Sequence, residues 1–264
     1  MATVAAWILG WLPWLFGASL VAETESAAHG AWPSSEIEGR FGVVVDIPVH
    51  AELSWLGGID YTYHTIILAE VRELDGRILQ RHDTCGIELL EETPIADLDI
   101  DWEETESLRM GTYPVDIEGR RYRADLGIRY VGLVEGFAGP LPDRPDDRGV
   151  IDDDHDGEPG VTLHVRTPLG GMRVFLVQRD HPILEGRIVS TDYIVGGVGV
   201  PLLEQQVLGT SPPLPRPESD AAADPRRARF EMFRIPDDVD CQELAQTWPS
   251  HRDQALRRAR PAAR

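Results

Sequence analysis

The feature that most constrains this chain is a two-residue alternation of apolar and polar side chains, interrupted by turn residues. Tyr122, Ala124, Leu126, Ile128 and Tyr130 alternate with Arg123, Asp125, Gly127 and Arg129. That period places one set on each face of a strand, one buried and one wet. Val161, Leu163 and Val165 repeat the pattern, as do Tyr61, Tyr63, Thr65, Ile67, Ala69 and Val71. Asp75-Gly76 between two such runs is a hairpin signal. Gly119 and Gly170-Gly171 separate further pairs of runs, 111–117 from 121–130 and 161–167 from 172–179. Residues 193–208 read as one more extended stretch and 229–235 as a last strand, with no helical run before residue 242. The expectation is an all-β fold of about nine or ten antiparallel strands, either a barrel or a two-sheet sandwich.

Residues 1–22 carry no charged side chain before Glu23, as in a leader helix that is a cleaved signal peptide or a retained anchor. The expected organisation is a leader over 1–28, a linker over 29–38 and one β domain over 39–249, with long loops at 136–160 and 210–225. A frayed basic tail over 250–264 holds five Arg residues. Either fate of the leader places the domain outside the cytoplasm, secreted or periplasmic, touching a membrane only through an uncleaved N-terminus. An exported chain with two cysteines, Cys85 and Cys241, is expected to join them in a disulfide.

Net charge is −20, from 45 acidic residues against 25 cations, and every cation is Arg. Such a field repels phosphate backbones, so nucleic acid is not an expected partner.

The stretch 152–162 reads Asp-Asp-Asp-His-Asp-Gly-Glu-Pro-Gly-Val-Thr. Asp152, Asp154 and Asp156 alternate ahead of Gly157, which resembles the DxDxDG half of the calcium loops of EF-hands, dockerins and thrombospondin type-3 repeats. The longer phrase also resembles loops in exported bacterial β proteins. The first resemblance implies a calcium cofactor, with the three Asp side chains and Glu158, through its carbonyl, as ligands. Calcium takes six to eight hard oxygens at about 2.4 Å, and alternate carboxylates on a tight loop can converge on one point. Counting from Asp152, the twelfth position is Leu163 and not the bidentate Glu of an EF-hand. The missing ligand is sought among Asp153, Asp143, Asp146 and Asp147, while His155 is read as a bystander.

No GxSxG, HExxH, GxGxxG, GxxxxGK[ST] or CxxC occurs. His64 and His82 fall on neighbouring expected strands and are read as surface histidines. The expected function is a non-catalytic exported or envelope β domain with a calcium-stabilised loop. Its partner is an unidentified small molecule or envelope component. The alternative is an exported hydrolase with its site on the loops.

Overall fold

The strand Gly39–Leu53 (β1) contributes side chains to the cores of both layers of the molecule. The computed structural model describes residues 36–259 apart from 54–56, 92–96, 169 and 214–218; the expected leader lies outside the described residues. After β1 come β2 (Gly57–Leu74), β3 (Arg77–Glu91), β4 (Asp97–Ile100), β5 (Met110–Glu118), β6 (Arg121–Asp125) and β7 (Arg129–Val131). Then follow β8 (Val161–Thr167), β9 (Gly170–Asp180), β10 (Ile183–Ser190), β11 (Tyr193–Gly199), β12 (Leu203–Ser211), β13 (Ser219–Ala223) and β14 (Arg229–Arg234). Besides a one-turn 3-10 helix at Glu106–Leu108, the described residues hold one α-helix, α1 (Cys241–Ala259), which follows the last strand.

Eight strands close a barrel in the order β1-β14-β11-β10-β6-β5-β3-β2, with β2 returning to β1. Every pairing between named strands is antiparallel. Of the two architectures the alternation allows, this is the barrel. Its interior is packed by Phe41, Tyr122, Leu184, Ile188, Phe230 and Met232, all essentially inaccessible. Burying each such side chain contributes about 1.5–3 kcal/mol. Ile37 joins this core at 1% exposure, so the expected linker is already part of the domain at its end.

The β1–β2 hairpin runs past the barrel and carries Val49, Ala51, Ile59 and Tyr61 onto a second sheet. That sheet has the order β12-β9-β8-β4, with β7 also on β9. Its contributions to the shared core include Leu98, Val165, Val174 and Val207. On the barrel's outer wall, α1 lays Leu244 and Ala255 against Val44, Ile66, Leu68 and Phe233. Asp240 caps the helix, its Oδ1 accepting from the Glu243 amide at 2.8 Å. Cys241, the first helical residue, is bonded to Cys85 on β3 with Cα atoms 4.9 Å apart. A disulfide fits an oxidising compartment. No helix of the described residues is long and apolar enough to cross a membrane.

The structure departs from the expected pattern at five points. The described residues hold fourteen strands, not nine or ten. The alternation 122–130 is two strands, because at Gly127 (φ +66) the chain leaves the barrel for the second sheet. Residues 193–208 likewise split, β11 in the barrel and β12 in the second sheet. The tail is helical through Ala259 because Leu244 and Ala255 share a buried stripe. Asp75-Gly76 and Gly119 do sit at hairpin turns, whereas the β8–β9 connection is 168–169 and Gly170-Gly171 begins β9.

Candidate functional site

Between β7 and β8 the chain runs irregularly from 132 to 160, with Asp152 and Gly160 in an isolated bridge. His155 (φ +57) and Gly157 (φ +86) are left-handed, which coils the intervening backbone tightly. One carboxylate oxygen from each of Asp152, Asp154 and Asp156 lies within 4.8 Å of the others. Two oxygens each about 2.4 Å from one calcium ion are at most about 4.8 Å apart, so the spacing suits a shared cation. The acidic triad could hold a metal ion.

Four of the six carboxylate oxygens are tied to the loop itself. Asp152 Oδ2 accepts from the Gly157 amide at 3.0 Å, and Asp154 Oδ2 from the Thr162 amide at 2.7 Å. Asp156 accepts from the Glu158 amide and the Thr162 hydroxyl, both at 2.8 Å. Asp152 Oδ1 and Asp154 Oδ1 are buried and accept from nothing among the described residues. Asp154 is 5% exposed, and burial, with Asp156 beside it, raises its pKa. A buried carboxylate oxygen without a partner is destabilising by a few kcal/mol.

Other acidic residues have different duties. Glu158 pairs its carboxylate with Arg173 at 2.8 Å, which leaves its carbonyl as the candidate donor. Arg173 also lies 3.6 Å from Asp156, so the uncompensated pair is Asp152 with Asp154. Asp153 is no ligand of this cluster: it accepts from the amides of Ser107 (3.2 Å) and Gly132 (2.9 Å) and from the Ser107 hydroxyl. Asp147 closes its own turn by accepting from the amides of Asp143 and Arg144, and neither it nor Asp143 or Asp146 joins the cluster. His155 faces Glu106 at 3.3 Å.

A second polar group lies where the barrel meets the second sheet. Arg129 on β7 makes a two-point ion pair with Asp180 on β9, at 2.7 and 3.0 Å. Asp180 also accepts from Gln178 at 2.7 Å, and Gln178 accepts from the Tyr63 hydroxyl at 3.3 Å. Burial pushes Tyr63 up to about 12. Burial opposes the Arg129 charge, but Asp180 more than offsets it and its pKa is raised. Arg129, Asp180 and Gln178 line a cavity of about 80 Å³ whose remaining wall is mostly aliphatic. His82 is also inside, not on the surface: it is 4% exposed, stacked edge-on to Tyr113, and burial lowers its pKa to about 3. His64 points outward to Asp46 at 2.7 Å, so the two histidines do not meet.

None of this interior polar cluster was picked out from the sequence. The available signal was in β9, where Gln178 and Asp180 continue the buried row of Val174 and Leu176. For hydrolysis, four histidines sit beside carboxylates: His50–Asp60, His64–Asp46 and His181–Asp125 at 2.6 to 2.8 Å, and His155–Glu106 at 3.3 Å. Among the described residues no Ser, Thr or Cys side chain bonds any of these imidazoles. Comparison with known protein families, curated sequences and solved structures finds no match.

Proposed function

We propose that this chain is a non-catalytic exported β-barrel domain whose 152–162 loop is completed by calcium. The observation that carries the reading is the pair of buried, unpartnered oxygens, Asp152 Oδ1 and Asp154 Oδ1, converging with Asp156. An all-oxygen donor set on an irregular loop suits calcium, which tolerates flexible geometry, better than magnesium, which demands a near-ideal octahedron. Zinc would prefer nitrogen or sulfur, and the nearby imidazole faces Glu106. Export is supported by the uncharged N-terminal run and the Cys85–Cys241 bond.

Because few protein side chains are available, the affinity belongs with extracellular modules, roughly 10⁻⁴ to 10⁻³ M. Calcium at ten to a hundred times the dissociation constant would add about 1 to 3 kcal/mol of stability. The test is titration calorimetry and thermal melting of the wild type and of D154A/D156A. The wild type should bind and gain stability, and the double variant should do neither while keeping a cooperative melt. Absence of binding at millimolar calcium, or a double variant that keeps the stabilisation, overturns the reading. Equal stabilisation by magnesium overturns the choice of ion.

A further inference from the structure

We infer that the cavity between the barrel and the second sheet is a binding site for a small neutral amphiphile, with Arg129 donating to its polar oxygen. The wall is aliphatic, with Ile47, Ile67, Leu89, Leu163 and Leu184 among its residues. One charged pair faces it. Buried ion pairs are seldom retained for stability, since well-packed apolar residues of similar volume do as well or better. In the Arg129–Asp180 pair, Nε and Nη2 are committed to Asp180, whereas Nη1 has no acceptor among the described residues. Arg129 keeps 29% of its side chain accessible and Asp180 only 4%, so the guanidinium is the member open to a guest.

Charge and size then define the ligand class. Asp180 already neutralises Arg129, and the chain carries a net charge of −20. A second carboxylate would therefore be disfavoured, and a ketone, ester or alcohol oxygen fits the free N–H groups without adding charge. The volume, about 80 Å³, is roughly half of the 150 Å³ apolar cavity that accommodates benzene, which limits the guest to about three or four non-hydrogen atoms. The proposal goes beyond the calcium reading and does not depend on it.

The test is nuclear magnetic resonance titration of the full domain in calcium-containing buffer with acetone, propane and acetate. Acetone should shift resonances of cavity residues and the Arg129 side chain, with a dissociation constant of about 1 to 10 mM. Propane should bind at least threefold more weakly, and acetate, the same size as acetone, should leave the cavity untouched. In R129M/D180N, which removes both charges and keeps an acceptor for Gln178, the preference for acetone over propane should vanish. Should that variant not fold, L203W, filling the cavity from a half-buried position, should abolish acetone binding. No cavity shifts with acetone, meaning a pocket that holds water alone, overturns the proposal. So does carboxylate binding as tight as the ketone, or a ketone preference that persists in R129M/D180N.

Discussion

Asp153 grips Ser107 by two groups at once, one carboxylate oxygen on the backbone amide and the other on the hydroxyl. The same carboxylate takes the Gly132 amide, and its backbone carbonyl takes the Glu106 amide. Asp153 thus fastens the acidic loop to the end of β7 and to the turn Glu106–Leu108. Its side chain is 2% exposed.

Removing that carboxylate strands three donors, so D153A should lower unfolding free energy by about 3 kcal/mol, and S107A by about 1 kcal/mol. Urea denaturation would measure both. Since Asp153 is outside the metal cluster, D153N should still bind one calcium ion per chain. Loss of stoichiometric binding in D153N would place Asp153 among the ligands.

Protonation of His82 should make the protein acid-sensitive. Its folded pKa is about 3 against an ordinary 6.5, so between these values the unfolded chain binds more protons. Stability is therefore full above pH 6.5 and falls as pH drops toward 3. The full loss would be about 5 kcal/mol, at about 1.4 kcal/mol per unit. Stability curves of H82F, compared with wild type from pH 7 to 4, should show a shallower acid slope. An unchanged slope would mean that His82 is not the group responsible.

Cys85 and Cys241 close a loop of 156 residues. On the chain-entropy model, C85A/C241S should lose up to about 5 kcal/mol. Because Cys241 is the first residue of α1, hydrogen exchange in 241–259 should accelerate more than in the barrel. Equal acceleration everywhere would show that the bond acts only on the unfolded chain.

Across four neighbouring strands, Tyr122, Gly186, Gly196 and Phe230 stand in one row of cross-strand partners. The two rings, 5.8 Å apart, fill the interior beside the glycines. A Cβ on Gly196 would lie 2.1 Å from the Glu185 carbonyl oxygen, while one on Gly171 would meet nothing nearer than 3.8 Å. G196A should lose more than about 2 kcal/mol and G171A less than about 1 kcal/mol in chemical denaturation. Similar losses at both would remove the steric argument.

Much of the sheet was readable because turns and alternation are local. Asp75-Gly76 names its own hairpin, and both residues adopt the left-handed conformations that such a turn needs (φ +52 and +74). The alternation misleads at Gly127 because the apolar spacing runs on past a bend that ends the strand. Leu126 belongs to the barrel core, whereas beyond the bend Ile128 is exposed and Val131, out of step with that row, is the buried residue on the strand that pairs with β9. The triad Asp152, Asp154 and Asp156 was visible through its spacing. Asp153 was not separable from it, because its partners Ser107 and Gly132 are distant in the chain. The Arg129–Asp180 pair is invisible for the same reason: 51 positions separate residues that β-pairing puts face to face.

Closure of the barrel also sets a timetable. Phe41 at its start is paired with Arg234, near the end of the chain. A ribosome or translocation channel delivering this protein from its N-terminus releases β1 long before β14 exists. Until then the 41–46 half of β1 can pair with β2 but has no second neighbour, β13 covering only 49–53, and Phe41, Val43 and Val45 lack the Phe230 and Met232 side of their core. Sheets built from such distant contacts fold slowly. A nascent chain stopped before residue 229 should therefore stay open to proteases along its whole length, however much of its sheet has already been made.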